Sequence, residues 1–134
     1  MLKRATSVPL LASIACVFAL FPPGRAYAHH SFAATYLENQ SVTIEGDLTQ
    51  FLFRNPHSYI HLDVKEADGA VTRWAVEWGG GGQLFRDGVF RETLKPGDHV
   101  IITGNPGRIA SDHRLRLKSI SRPKDGWKWS GVVE

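Results

Sequence analysis

The chain has 134 residues, with 16 lysines and arginines against 13 aspartates and glutamates, and it contains one cysteine. This length supports one domain with a modest core, and a single cysteine excludes a disulfide framework within the chain. Three of the basic residues lie in the first 28 positions, so residues 29–134 are formally neutral and lack the basic excess that nucleic-acid binding requires.

Residues 1–28 have the three zones of a secretory signal peptide. Lys3 and Arg4 form a positive start, an apolar run extends over residues 8–21, and Ala26-Tyr27-Ala28 supplies a small-x-small cleavage pattern. Because the apolar run is shorter than the roughly 20 residues of a transmembrane helix, the sequence predicts a cleaved leader. We therefore expect a periplasmic or secreted protein with no membrane span after cleavage.

Cleavage after Ala28 makes His29 the first residue of a single mature domain, residues 29–134. It also removes Met1 and Cys16, which are the only methionine and the only cysteine of the chain. The mature domain then lacks sulfur ligands and must be stabilised by its core alone.

Five short segments of the mature domain have the alternating pattern of β-strands. In the second segment apolar side chains alternate with polar ones, and Ala67-Asp68-Gly69-Ala70 predicts a hairpin turn to the third. Gly46 in the first segment indicates a bulge or a bend. The predicted strands span residues 42–53, 58–66, 71–78, 98–104 and 114–120.

A short helix is predicted between the third and fourth strands, where apolar side chains would close one end of a barrel. They are Leu84, Phe85, Val89, Phe90 and Leu94. Three strands, a short helix and two strands are the order of an all-β, five-stranded OB-like Greek-key barrel, and an up-and-down barrel or a sandwich is the alternative. Residues 123–131 are interpreted as a polar tail whose Trp127 and Trp129 pack back on the barrel or offer a partner surface.

His57 and His61 are the first candidate site residues. On a straight strand their side chains lie roughly 13–14 Å apart, too far to share one small ion. Asn55-Pro56 places His57 at the open start of a strand, so we favour His57 as a metal ligand and interpret His61 as an outward or packed histidine.

A free N-terminal His29 offers two nitrogen ligands, its amine and its ring. The amine has a pKa of about 7.7–8.0 and loses its proton to a metal easily. One more imidazole, from His57, His30 or His113, completes a planar three-nitrogen site that favours copper(II). The alternatives are another metal and adventitious binding at a frayed terminus.

Other side chains are candidates for the surroundings of a site. Glu77 is either an acceptor for a histidine N–H or a solvated edge charge, and the glycines 79–82 are interpreted as a turn beside a binding mouth because they lack the Lys-Ser/Thr of a phosphate loop. Alternating Arg114, Arg116 and Lys118 predict a solvated strand face, with an anion site as the less common alternative. The candidates for the second shell or ligand mouth are Asn55, Tyr59, His61, Trp74, Glu77 and Trp78.

Three short motifs resemble those of a family of small exported bacterial proteins of unknown function. They are His29-His30-Ser31-Phe32, Asn55-Pro56-His57 and Leu94-Lys95-Pro96-Gly97-Asp98 before a Val-Ile-Ile-Thr-Gly strand. The resemblance covers nearly the whole mature chain and implies export, a small β-barrel, and His29, His30 and His57 as a coherent set. It implies no activity, and the glycines 79–82 depart from the family's pattern.

No catalytic set emerges, because nothing pairs Ser31 with a base and no paired carboxylates or reactive thiol occur in the mature sequence. We therefore expect a non-enzymatic exported protein that binds metal, copper first. The alternatives are a module that binds a small ligand or an envelope protein, with Trp74, Trp78 and Tyr59 at the barrel mouth, and an auxiliary subunit of an envelope enzyme.

Overall fold

The structure, a computed structural model, describes residues 31–134. The predicted leader and the two candidate ligands His29 and His30 lie outside the described residues. Short helices and six strands follow in chain order: α1 (Phe32–Thr35), β1 (Val42–Leu52), β2 (Ser58–Lys65), β3 (Val71–Trp78), α2 (Gly81–Arg86), β4 (His99–Pro106), a 3₁₀ turn (Ala110–Asp112), β5 (Arg114–Arg122) and β6 (Trp127–Ser130).

Strands β1 to β5 form a closed barrel. β1 pairs antiparallel with β2 and with β4, β2 pairs with β3, and β4 pairs with β5. The barrel closes where β3 runs parallel to β5, with Ala75 opposite Arg114 and Glu77 opposite Arg116. This is the pairing order of an OB-like barrel, so the predicted fold class is confirmed, including the short helix between β3 and β4.

The interpretation of residues 123–131 as a polar tail was wrong in part, although Trp127 and Trp129 do pack back on the barrel. Residues Trp127–Ser130 form β6, which pairs antiparallel with the end of β5. Trp127 and Trp129 are partly buried against the core, and Val133 is fully buried beyond the strand. The indole rings explain the strand, because they find apolar surface only when the tail folds back on the barrel.

Strand β2 shows how the sequence sorts side chains between the two faces of the barrel wall. Ile60, Leu62 and Val64 point into the core, whereas Tyr59 and His61 lie on the outer face. β3 follows the same rule, with Val76 inside. The outer face of β2, β3 and β5 is therefore available for polar side chains, and the candidate site lies there.

Gly46 does not mark the bulge in β1. The register of β1 against β2 shifts between Leu48 and Gln50, two residues later. Gly46 instead allows the two strands to approach closely, because a Cβ atom at this position would lie 2.2 Å from the carbonyl oxygen of Asp63.

Helix α2 and the turn after it close one end of the barrel, as predicted, but only some of the predicted apolar side chains take part. Leu84, Val89 and Leu94 are buried in the core. Phe85 and Phe90 are 65% and 45% exposed and pack edge to face on each other, with ring centroids 5.4 Å apart. The exposure of these two rings corrects the expectation that all five side chains would close the barrel.

His99 begins β4 between two carboxylates of β1. Its Nδ1 lies 2.7 Å from Asp47 and its Nε2 lies 2.8 Å from Glu45. Hydrogen bonds to Glu45 and then to Asp47 raise the pKa of His99 above its ordinary 6.5. The pKa of His99 is therefore higher in the folded protein than in the unfolded chain. The ion pairs of His99 stabilise the fold fully below pH 6.5, and this contribution is lost as the pH rises through the pKa of the folded state.

We expect Glu45→Gln to lower the pKa of His99, and to flatten the decline in stability above pH 6.5. Imidazole ¹H–¹⁵N spectra recorded against pH measure the pKa, and urea unfolding measures the stability. The ring is half exposed, so the effect on stability is small. A pKa of His99 that is the same in wild type and Glu45→Gln would contradict this account.

Candidate functional site

A cavity of about 260 Å³ lies between helix α1 and the outer face of the barrel wall. Strands β2, β3 and β5 form its floor, and the N-terminal segment of the described chain forms its roof. Its lining residues are Ser31, Phe32, Thr35, Tyr36, His57, Tyr59, Glu77 and Arg114. A histidine, a glutamate and an arginine therefore face one open cavity together with three aromatic rings.

A larger groove of about 440 Å³ runs over the outer face of β4, β5 and β6. Serine and threonine side chains dominate its lining, and Lys128 is the only charged residue among the described ones that border it. We take the smaller cavity as the candidate site, because three of the sequence-predicted candidates, His57, Tyr59 and Glu77, line it together.

Glu77 is the centre of the candidate site. It is 8% exposed, although it lies on the outer face of β3, because helix α1 and Tyr36 cover it. The Tyr36 hydroxyl donates a hydrogen bond to Oε2 of Glu77, and Nη2 of Arg114 lies 3.8 Å from the same oxygen. Of the two readings that the sequence left open for Glu77, the solvated edge charge is wrong.

His57 lies at the opposite carboxylate oxygen. Its Nδ1 is 2.8 Å from Oε1 of Glu77. Despite this short distance, the two atoms do not have the geometry of a hydrogen bond. The contact is therefore a close electrostatic one rather than an aligned hydrogen bond. The His57 side chain is 23% exposed, so the ring is held at the cavity and still reaches solvent.

The two tyrosines of the cavity remain protonated at neutral pH. Burial, followed by the hydrogen bond to Glu77, raises the pKa of Tyr36 far above its ordinary value. Burial, followed by the charge of Glu77, also raises the pKa of Tyr59. The Tyr59 hydroxyl is consequently available as a hydrogen-bond donor, whereas the Tyr36 hydroxyl already donates to Glu77.

The turn before β2 positions His57, and the glycines 79–82 hold this turn in place. The amide of Ser58 donates to the carbonyl of Gly79 at 3.1 Å, and the amide of Gly81 donates to the carbonyl of Arg54 at 3.0 Å. A Cβ atom at Gly80 would lie 2.4 Å from the carbonyl oxygen of Pro56. The glycines are therefore the surface on which the turn before His57 packs.

Two arginines fix helix α1 above the cavity. The guanidinium of Arg116 lies 3.6 Å from the centroid of the Phe32 ring, and Nε of Arg108 donates to the carbonyl of Ala33 at 2.7 Å. The Phe32 ring in turn packs edge-on against His57, with centroids 5.6 Å apart. Four residues of helix would not stay folded alone, so these contacts determine where the N-terminal segment lies.

Of the sequence-predicted site residues, the structure brings His57, Tyr59 and Glu77 together at the cavity. The other described candidates lie elsewhere. Asn55 accepts a hydrogen bond from the amide of Gly82 at 3.3 Å, His61 contacts Gln50 at 3.2 Å, and His113 packs on Trp74 with ring centroids 5.3 Å apart. Trp78 is fully buried, and Trp74 packs against the same core.

Three residues that line the cavity were not among the sequence-predicted site residues: Tyr36, Arg114 and Phe32. Tyr36 precedes the first predicted strand and belongs to no periodic pattern, so no sequence signal indicated it. Arg114 and Arg116 do lie in a strand, β5, as predicted. The prediction that both face solvent was wrong for Arg116, because its side chain is only 14% exposed. Arg114 is 36% exposed and faces the cavity.

Within residues 31–134, no group of three or more histidine, cysteine, aspartate or glutamate side chains is arranged to hold a metal ion. The cavity supplies His57 and Glu77 as a pair of potential ligands. None of the helices described is long and apolar enough to cross a membrane.

A comparison with curated proteins gives no match. A family model does match, and it covers residues 19–116, which is most of the chain and includes every residue that lines the cavity. The chain belongs to the family described as a family of unknown function (DUF6152).

Proposed function

We propose that this protein is an exported, non-enzymatic metal-binding protein whose preferred ion is copper(II). The ligands are the amine and ring of an N-terminal His29 together with His57, with His30 as a further nitrogen. The observation that carries the proposal is that Ser31 and His57 line the same cavity. The two residues that precede Ser31 in the sequence are His29 and His30.

The orientation of His57 supports a role as a metal ligand. Its Nδ1 faces Glu77, which leaves Nε2 as the ring nitrogen available to a metal. Metal-binding imidazoles usually donate their other N–H to a carboxylate, which fixes the ring orientation, and Glu77 lies close enough to Nδ1 to accept such a bond once the two groups align. Tyr36 and Arg114 hold Glu77 from its other side, so the carboxylate is in place before any metal binds.

The position of Ser31 supports the participation of the terminus. Consecutive Cα atoms are about 3.8 Å apart, so a chain that begins at His29 starts only two residues away from the cavity lining. An N-terminal histidine binds through two nitrogens, and its amine gives up its proton at near-neutral pH. A third nitrogen from His57 completes a set that one copper(II) ion can accept.

The ligand chemistry selects copper(II) among the common metals. Nitrogen ligands in a planar arrangement suit copper(II), whereas zinc prefers a tetrahedral set. Residues 29–134 contain no cysteine and no methionine, so the soft ligands typical of copper(I) sites do not occur in the mature sequence. Because His113 packs on Trp74, we favour His30 over His113 as the further nitrogen.

Binding of a small organic ligand is the second candidate function. The observation that favours it is the cavity itself, where Tyr59 and Phe32 offer aromatic surface beside polar groups. The tryptophans expected at a binding mouth are not part of this cavity, so the second candidate rests on Tyr59.

His57→Gln and His61→Gln test the metal proposal as a matched pair. His57 directly precedes β2 and His61 lies on its outer face, but only His57 lines the cavity. We expect His57→Gln to weaken copper(II) binding by more than about tenfold, and His61→Gln to leave it unchanged. Calorimetry on the mature protein measures both affinities. Equal affinities in the two variants would contradict the proposal.

A further inference from the structure

Several hydrogen-bond donors converge on the cavity, and one of them is cationic. The guanidinium of Arg114 faces it, and the nearest carboxylate contact of this side chain is the one to Glu77 at 3.8 Å, which is too long for a hydrogen bond. The hydroxyl groups of Ser31, Thr35 and Tyr59 line the same space. One planar cation and three hydroxyls therefore surround a space large enough for a small molecule.

The charges around the cavity also favour an anion. Arg54 adds a second guanidinium near the cavity, which lies 5.2 Å from the centroid of the Tyr59 ring. Glu77 is the only acidic side chain among the described residues that line the cavity. Its oxygens already face the Tyr36 hydroxyl and the His57 ring.

We infer that this cavity binds a small monocarboxylate, which Arg114 holds with the hydroxyls of Thr35 and Tyr59. The planar guanidinium matches a carboxylate in shape and charge, and paired N–H donors give it a bidentate contact. Glu77 limits the charge of the ligand, because a dianion such as phosphate would meet stronger repulsion from its carboxylate. The Phe32 ring offers an apolar wall for a short alkyl group.

This inference goes beyond the proposed copper site and does not require it. The carboxylate contacts Arg114 and the hydroxyls, whereas the metal contacts His57 and the terminus. A titration with metal-free protein, kept in chelator, therefore tests the anion site alone. If acetate fails to bind while copper(II) binds, only the present inference is overturned.

The experiment is a titration of sodium acetate into the metal-free mature protein, followed by NMR on the Arg Nε resonances and the Tyr59 amide. Sodium chloride at the same ionic strength is the reference, and phosphate is the dianion probe. We expect saturable shifts of Arg114 and Tyr59 with acetate, weaker binding of phosphate, and no saturation with chloride. Shifts that do not saturate with acetate, or that chloride reproduces, would overturn the inference.

Three variants locate the site. Arg114→Gln should weaken acetate binding by at least about tenfold, whereas Arg91→Gln should not change it, because Arg91 packs on Phe53 outside the cavity. Thr35→Val removes one hydroxyl and keeps the contact between Arg114 and Glu77, so it should weaken binding a few-fold even if Arg114→Gln fails to fold. Unchanged acetate binding in Thr35→Val and in a folded Arg114→Gln would contradict the site.

Discussion

Glu77→Ala is expected to lower the free energy of unfolding by about 3 kcal/mol. The substitution leaves the buried Tyr36 hydroxyl without its acceptor and removes the carboxylate that faces His57 and Arg114. Arg114 can turn towards water, which limits the loss, whereas the Tyr36 hydroxyl is enclosed. Urea unfolding followed by tryptophan fluorescence measures the change.

Two further variants separate the charge of Glu77 from its shape. Glu77→Gln retains an oxygen that accepts from Tyr36, so we expect it to lose only about 1 kcal/mol of stability, yet to weaken copper(II) binding by about tenfold because the support of His57 is lost. Glu92→Ala removes an exposed carboxylate and should stay within about 0.5 kcal/mol of wild type. If Glu77→Ala were as stable as Glu92→Ala, the contacts of Glu77 with Tyr36, His57 and Arg114 would contribute nothing to the stability of the fold.

Gly80→Ala is expected to lower the free energy of unfolding by about 1–3 kcal/mol and to weaken copper(II) binding in the same protein. The backbone of Gly80, with φ −63° and ψ 156°, suits any residue, so the cost comes from contact alone. The new methyl group would lie 2.4 Å from the carbonyl oxygen of Pro56 and 2.9 Å from the side chain of Asn55. The turn must move, and His57 moves with it.

Gly82→Ala is the matched control for Gly80→Ala. Gly82 lies in α2, where the nearest atom to a new Cβ is the end of the Arg86 side chain at 4.0 Å. Alanine is the better helix former there, so we expect stability to rise by about 0.5–1 kcal/mol without a change in copper(II) affinity. Equal stabilities in the two variants would refute the packing of the Asn55–His57 turn on Gly80.

The sequence predicted the barrel because its signals are local. The alternation in β2 distinguishes inward Leu62 from outward Tyr59, and Gly69, with φ +86°, makes the predicted hairpin turn. Such patterns depend on neighbours one to four positions apart, so a single chain displays them. The strand order followed from the position of the short helix.

The burial of Glu77 could not be predicted because its partners are distant in the sequence. Tyr36 lies 41 positions before it, and Arg114 reaches it only because β3 and β5 pair in parallel. The local sequence around Glu77 is the same whether the outer face of β3 is exposed to water or covered by another segment. The cover over this face is helix α1, whose four residues carry no periodic signal.

Strand β6 was missed for a related reason. Trp127 and Trp129 stand among polar and turn-forming residues, and such a composition is typical of loops. The strand forms because β5 extends to Arg122, beyond the end of its parallel pairing with β3, and presents a free edge. That free edge exists only once the barrel has closed. The sequence of residues 127–130 therefore does not reveal that a pairing partner is present.

A copper(II) titration of protein that begins at His29 tests the central proposal most directly. A second protein, with one added glycine before His29, serves as the control because it retains every side chain and changes only the position of the free amine. Calorimetry and electron paramagnetic resonance are the two measurements. The proposal predicts tight one-to-one binding with a nitrogen-rich planar spectrum, lost or greatly weakened in the extended protein. Weak binding, or the same binding in both proteins, would contradict a copper site at this terminus.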